Sequence, residues 1–138
     1  MKLTLLSMLL SKYFWRKAHV IADANICLLS RSNVELIARF QGLKTLIMDH
    51  NNVTNLRTFP SLPKLETLSL AYNALRDMDA TLIHIAKNYP VLKHLNLIKN
   101  PMNPMFGGQS NKYETFRAKF KIWIPTLVTL DGIDFNKD

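Results

Sequence analysis

One residue pattern recurs along this chain and fixes the spacing of its apolar residues. Each copy reads Leu-x-x-Leu-x-apolar-x-x-Asn-x-apolar, so that an asparagine follows a short apolar segment. The three copies begin at Leu43, Leu65 and Leu92, and their asparagines are Asn51, Asn73 and Asn100. Because the same positions match in every copy, the pattern predicts one structural unit that is stacked upon itself.

This spacing is that of leucine-rich repeats, in which a short strand, a turn and a return segment form each unit. Alternate strand residues point to opposite faces, so the apolar pair of each copy faces the core. We therefore expect an α/β leucine-rich-repeat solenoid. Its short parallel strands would lie on the concave face, with helical, 3₁₀ or extended segments on the convex face and a helical cap at the C-terminal end.

The repeated asparagines suit the turn that follows each strand. A side-chain amide supplies donors and an acceptor, and these can pair with backbone groups that the turn leaves buried. We interpret Asn51, Asn73 and Asn100 as a structural ladder rather than as functional residues.

The return segments of two repeats predict different structures. The longer third unit has room for a helix, with Asp77 or Asp79 as its N-cap and Pro90 beyond its end. The apolar face of this helix would consist of Leu82, Ile83, Ile85 and Ala86. The second unit contains Pro60 and Pro63, which exclude a regular helix and favour an extended or 3₁₀ segment.

We divide the chain into residues 1–24 as an N-terminal helix or cap, residues 25–105 as repeats, and residues 106–138 as a C-terminal cap. The first repeat is degenerate, with Cys27 at a leucine position and Ser32 at the ladder position. In the C-terminal region, Ser110 or Asn111 can cap a helix that ends before Pro125. The apolar positions of that helix are Tyr113, Phe116, Phe120 and Trp123 or Ile124.

The N-terminal residues leave three interpretations open. An amphipathic helix over Leu3–Trp15 would cover the open end of the solenoid, and this is the interpretation we favour. The same apolar and basic residues, within 1–17, would also suit a membrane-surface anchor. A signal peptide fits less well, because Lys12, Arg16 and Lys17 follow the apolar run, where a cleavage region is normally neutral.

Charge and cysteine content bear on the compartment and on the partner. The chain has 138 residues, a formal charge of +8 and one cysteine, which cannot close the disulfides that are common in secreted repeat proteins. We expect a monomer in the cytoplasm, with the nucleus as the alternative. The nearest approach to a basic cluster is Lys112, Arg117, Lys119 and Lys121, which we interpret as a solvated helix face. Without a continuous basic stripe, nucleic acid is not the expected partner.

The sequence contains no pattern that predicts catalysis, a cofactor or a metal ion. It has neither a glycine-rich phosphate loop nor a GxSxG turn, and its four histidines have no neighbouring cluster of Cys or carboxylate residues. Asp49 and His50 are adjacent, but no nucleophile accompanies them. We therefore expect a protein that is not an enzyme.

The remaining functional feature is the concave surface, which strand alternation predicts to be a mixture of apolar, aromatic and polar residues. Such a mixture suits a protein partner. An alternative is a scaffold on a membrane surface or nucleic acid, which would use the basic surface and the apolar N-terminus. The predicted concave residues are Thr45, Ile47, Asp49, His50, Thr67, Ser69, Tyr72, His94, Asn96, Ile98 and Lys99.

Two sets of residues carry a family resemblance. Tyr113-x-x-Phe116-Arg117 and Pro125-x-Leu127-x-x-Leu130-Asp131-Gly132 resemble the C-terminal cap of intracellular leucine-rich-repeat proteins. The repeats, the long third unit and the cap together resemble the leucine-rich melanocyte differentiation-associated protein family over about Ser30 to Gly132. The resemblance implies a small, non-catalytic cytosolic scaffold that is linked to pigment-cell differentiation.

Overall fold

The strands of the chain form one sheet whose order follows the sequence. The structure is a computed structural model, and it describes residues 19–21, 26–28, 37–106 and 108–137. Within these ranges the strands are β1 (His19–Ile21), β2 (Ile26–Leu28), β3 (Thr45–Ile47), β4 (Thr67–Ser69), β5 (His94–Asn96), β6 (Thr129–Leu130) and β7 (Ile133–Asp134). Strands β2 to β6 pair in parallel, whereas β1 and β7 pair antiparallel to their neighbours.

The middle residues of β3, β4 and β5, together with Leu130 of β6, lie in the core. Leu46, Leu68, Leu95 and Leu130 are aligned by the strand register and are buried. Cys27 lies in the same register row, as the degenerate first repeat predicts. Because the strands are only two or three residues long, each repeat contributes one residue of this row and depends on its neighbours for burial. The predicted leucine-rich-repeat solenoid is confirmed.

The long third repeat forms helix α1 (Met78–Asn88), as predicted. Asp77 is its N-cap and accepts a hydrogen bond from the backbone N–H of Ala80 at 3.0 Å. The predicted apolar face was wrong at Ile83, which is 51% exposed, because a helix turns by about 100° per residue and Leu82 already faces the core. Thr81 takes the buried position on the other side of Leu82.

The second repeat crosses the convex side without a regular helix, as its prolines predict. Turn hydrogen bonds join the N–H of Phe59 to the carbonyl of Leu56 and the N–H of Leu65 to the carbonyl of Leu62. All four side chains are buried, so this irregular segment contributes to the same core as helix α1.

The C-terminal cap contains helix α2 (Tyr113–Trp123), which follows a 3₁₀ turn over Ser110–Lys112. The predicted cap by Ser110 or Asn111 is wrong, because the 3₁₀ turn continues directly into the helix and no side chain caps it. Ile124 is buried, whereas Trp123 is 51% exposed, which decides between the two predicted apolar positions.

The chain then turns between β6 and β7 at Asp131 and Gly132. Both residues have positive φ, as a tight type I′ hairpin requires. At the other end of the sheet, β1 lies inside the segment predicted as an N-terminal helix or cap. The predicted helix over Leu3–Trp15 and the ladder position Ser32 lie outside the described residues.

Candidate functional site

The outward-facing residues of the middle strands form a shallow polar surface with one apolar residue. They lie on either side of the buried strand leucines and are half-buried, except His94, which is exposed. The imidazole Nδ1 of His94 lies 2.9 Å from the Oγ1 of Thr129 on the next strand, within hydrogen-bonding distance. The strand residues of this surface are Thr45, Ile47, Thr67, Ser69, His94 and Asn96.

Asp49 was expected to present its carboxylate to a partner, but the structure gives it an internal role. Its Oδ1 accepts hydrogen bonds from the hydroxyl of Ser69 at 2.7 Å and from the backbone N–H of Ala71 at 2.9 Å. These bonds join the end of β3 to the end of β4. Asp49 is half-buried, and Ala71, one repeat further along, is buried.

His50, Tyr72 and Lys99 occupy the same position in successive turns, just after the strands. Their φ angles are 59°, 57° and 61°, in the left-handed region that few non-glycine residues adopt. The rings of His50 and Tyr72 stack with their centroids 4.4 Å apart. The ammonium of Lys99 lies 5.7 Å from the centroid of the Phe106 ring. We call His50, Tyr72, Lys99 and Phe106 the rim row.

Large apolar side chains are exposed along and beside the rim row. Tyr72 is 49% exposed and Ile98 is 37% exposed. Met105 and Phe106 are also exposed, and the sequence assigned both only to a loop. The contact of Phe106 with Lys99 depends on how that loop folds back, which no local periodicity encodes.

The ladder asparagines lie directly behind this surface, and two of them are buried. The Oδ1 of Asn73 accepts hydrogen bonds from the N–H groups of Asn51 and Val53, at 2.9 and 3.0 Å. Its Nδ2 donates to the carbonyls of Met48 and Leu70 at 3.0 and 2.9 Å. Asn73 therefore satisfies backbone groups of its own repeat and of the preceding one.

Asn100 repeats this arrangement one unit further along the chain. It accepts a hydrogen bond from the N–H of Leu75 at 3.1 Å and donates to the carbonyl of Leu70 at 2.8 Å. Asn51 is half-buried and donates from Nδ2 to the carbonyl of Asp49. The side chains of Asn73 and Asn100 thus bond along the direction of stacking.

A cluster around Asp131 ends the ladder at the C-terminal cap. The carboxylate of Asp131 accepts hydrogen bonds from the N–H of Leu97 at 2.6 Å, from the amide of Asn103 at 2.8 Å and from the hydroxyl of Tyr113 at 2.6 Å. Burial, and then the hydrogen bond to Asp131, raise the pKa of Tyr113. Its hydroxyl therefore stays a donor at neutral pH.

Arg117 was expected on a solvated basic face, but it is 6% exposed. Its guanidinium donates to the carbonyls of Leu130 and Ile133, both at 3.3 Å, and lies 4.2 Å from the centroid of the Phe135 ring. Lys121 is also engaged, because its ammonium donates to the carbonyls of Pro125 and Leu127. Helix α2 therefore does not present its basic residues as one free cluster.

Neither metal ligation nor membrane crossing is indicated by the described part of the chain. In those ranges, no three His, Cys, Asp or Glu side chains are grouped closely enough to hold a metal ion. No described helix combines the length and apolar character that crossing a bilayer needs. The anchor interpretation rests on residues 1–17, which lie outside the described ranges.

Comparison with known proteins supports the repeat assignment. A family model described as leucine-rich repeats, in two copies, matches residues 41–84. The leucine-rich melanocyte differentiation-associated protein of Homo sapiens is 29% identical over 107 residues, covering 75% of this chain and 54% of that protein. This similarity confirms the resemblance that the repeats and cap predict.

A second relative comes from a differently named group. The acidic leucine-rich nuclear phosphoprotein 32 family member A of Drosophila pseudoobscura pseudoobscura is 27% identical over 142 residues, covering 89% of this chain and 52% of the relative. The chain spans about half the length of these two relatives.

Solved structures show the same fold at low sequence identity. The leucine-rich-repeat domain of Mex67 from Chaetomium thermophilum matches with a TM-score of 0.61, at 17% identity, over 95% of each chain. The Mex67:Mtr2 subunits from Chaetomium match with a TM-score of 0.60 and the same identity, over 88% of this chain and 89% of the other. At this identity, the likeness concerns the fold alone.

Proposed function

Since this chain is a leucine-rich-repeat protein by sequence and by fold, we propose that it is a non-catalytic adaptor that binds a protein partner. The proposed binding surface is the outward strand face together with the rim row. A segment of the partner, such as a helix or a loop, would lie across β3, β4 and β5. Tyr72 and Ile98 would be its apolar anchors.

The observation that carries this proposal is the backbone conformation of the rim row. The left-handed region costs a non-glycine residue about 1–2 kcal/mol, and glycine or asparagine would relieve that cost. His50, Tyr72 and Lys99 instead place large side chains there in three successive turns. Tyr72 is half-exposed, so burial in the core does not explain its size.

The composition of the surface is also suited to protein recognition. Binding energy at protein interfaces concentrates in aromatic and other large side chains that a polar rim surrounds. Here Tyr72, Ile98 and Phe106 are exposed beside the polar strand residues Thr67 and Asn96.

Charge on this side of the molecule favours a partner segment with acidic residues. Asp49 already accepts two hydrogen bonds, and Glu66 is paired with Lys93 at 3.3 Å. Lys44 and Lys99 are exposed at opposite ends of the strands. An acidic segment would therefore meet positive charge at both ends of its path.

The names of the relatives suggest the setting of this activity. The human relative is named for melanocyte differentiation, and the insect relative is named as a nuclear phosphoprotein. We extend the proposal to an adaptor of the cytoplasm or nucleus that acts in pigment-cell differentiation. Deleting the protein in a pigment-forming cell line, and restoring it with surface variants, tests that extension.

The direct test uses two triple variants of the full chain. The first changes Ile47, Tyr72 and Ile98 to alanine. The matched control changes Ile83, Ile122 and Trp123, which are two isoleucines and one aromatic residue exposed on the helices. Partners are identified by proximity labelling with the wild type, purified, and titrated against all three proteins.

We expect the first variant to bind at least about 30-fold more weakly, the loss that truncating an interface hot spot causes. The control should bind like the wild type, and circular dichroism should show that both variants are folded. Undiminished affinity in the first variant, or an equal loss in the control, would refute the proposed surface.

A further inference from the structure

The convex side of the solenoid contains a cavity that polar, charged and apolar side chains line. Its volume is about 250 Å³, and it lies between residues 54–57, which follow the first ladder asparagine, and the first half of helix α1. Thr54, Thr81 and His84 contribute polar walls, and Leu56 and Ala80 contribute apolar ones. The strands lie on the other side of the core.

Two arginines, Arg57 and Arg76, line this cavity. Neither guanidinium has a hydrogen-bond or ion-pair partner among the residues that the structure describes. The carboxylate on the wall, Asp77, accepts a hydrogen bond from Ala80 as the helix N-cap and pairs with neither arginine. The formal charge of the lining is therefore positive.

His84 also lines the cavity, and it is half-buried. Its Nε2 is buried and has no partner among the described residues, a state that is rare in native proteins. Burial, and to a smaller extent the charge of Lys87, lower the pKa of His84, while a backbone hydrogen bond to Phe59 opposes the shift. The lowered pKa favours the neutral ring at pH 7, so the positive charge of the cavity comes from the two arginines.

We propose that this cavity binds the phosphate group of a small phosphomonoester. Guanidinium forks match phosphate oxygens in geometry and charge, and the two arginines outnumber the one carboxylate, Asp77, on the same wall. The volume is below the range of about 300–1,000 Å³ that drug-sized ligands occupy. A phosphate with a few attached carbon atoms therefore suits the space better than a nucleotide does.

The test is a titration of the ¹⁵N-labelled full chain, followed by NMR. The probes are glycerol 3-phosphate and inorganic phosphate, with glycerol as the neutral control. Binding at the cavity should shift the backbone amides of Ala80 and Thr81, which lie on its wall. Glycerol should leave these amides unmoved.

Two sets of variants distinguish phosphate binding at this cavity from nonspecific attraction of phosphate to a basic protein. The variant with Arg57→Gln and Arg76→Gln should bind glycerol 3-phosphate at least tenfold more weakly. Arg39→Gln removes an exposed arginine elsewhere and should bind like the wild type. Because all three side chains belong to exposed residues, the spectra should show intact folds.

His84→Gln provides an additional control, because a neutral ring with a buried Nε2 contributes no charge to the binding of an anion. Its affinity should stay close to that of the wild type. Equal weakening by Arg39→Gln, unchanged affinity of the double variant, or shifts spread over other basic surfaces would overturn the proposal.

Discussion

The ladder asparagines and the residues of the rim row are adjacent in the sequence, but different requirements determine the two positions. Asn73 is buried and makes hydrogen bonds to two repeats, whereas Tyr72, one residue earlier, is half-exposed in a left-handed turn. The same contrast separates Asn100 from Lys99. Stacking requires the amide at one position, while the position beside it can change with the partner. Within a single turn of this fold, a residue that is available for recognition is therefore followed by a residue that stability requires.

The largest expected effect is that of Asn73→Ala. The change leaves the N–H of Val53 and the carbonyl of Met48 without the amide that bonds them, and it removes one hydrogen bond each from Asn51 and Leu70. Since a buried polar group without a partner costs about 1–3 kcal/mol, we expect the free energy of unfolding to fall by about 3 kcal/mol or more. Urea denaturation measures the loss.

The control for this change is Asn136→Ala at an exposed position, which should alter stability by less than about 0.5 kcal/mol. If both variants lost the same small amount of stability, the ladder would not be what holds the repeats together.

We expect Asp131→Ala to lower the free energy of unfolding by less than Asn73→Ala does. Asp131 combines one property of the rim row with one property of the ladder. It has a left-handed backbone like the rim row and, like the ladder, side-chain hydrogen bonds between repeats, which are partly buried. Alanine would leave the N–H of Leu97 and the hydroxyl of Tyr113 without their carboxylate acceptor, which should lower the free energy of unfolding by about 2–3 kcal/mol. Asp131→Asn keeps one acceptor and tolerates positive φ, so it should retain part of that stability.

Chemical denaturation of both Asp131 variants sharpens the comparison. Equal stability of the alanine and asparagine variants would show that the side-chain hydrogen bonds of Asp131 do not stabilise the C-terminal end of the ladder. A greater loss for asparagine than for alanine would show the same.

The smallest effect on stability is expected for Tyr72→Asn. Asparagine tolerates the left-handed turn, which gains up to about 1 kcal/mol, while the lost stacking on His50 costs about as much. The variant should therefore unfold within about 1 kcal/mol of the wild type and still lose affinity for its partner. A loss of stability as large as that of Asn73→Ala would remove the distinction between rim and ladder.

Much of the repeat architecture could be predicted, because its signals are periodic. The strand leucines, the N-cap at Asp77 and the irregular crossing at Pro60 and Pro63 follow from spacing and local backbone chemistry. Burial of Arg117 also had a signal that was not used. It falls between Phe116 and Phe120 on the apolar face of helix α2, in the i, i+3, i+4, i+7 series that begins at Tyr113.

Other features had no local signal. The left-handed turns at His50, Tyr72 and Lys99 lack the glycine or asparagine that would mark them, because the repeat imposes that conformation. Asn103 and Asp131 meet across 28 residues, and Phe106 reaches Lys99 only once its loop has folded. Such contacts depend on tertiary structure, and a single sequence does not encode them in any short window.

The antiparallel strands at the two ends of the described sheet have a consequence for solubility. A stack of parallel repeats would otherwise present an open edge to which another chain could add. At the C-terminal end, β7 is two residues long, and at the other end β1 runs against its neighbour. Short edge strands make poor templates for further strands, so edge-to-edge pairing of the described sheet is disfavoured while the inner strands remain available.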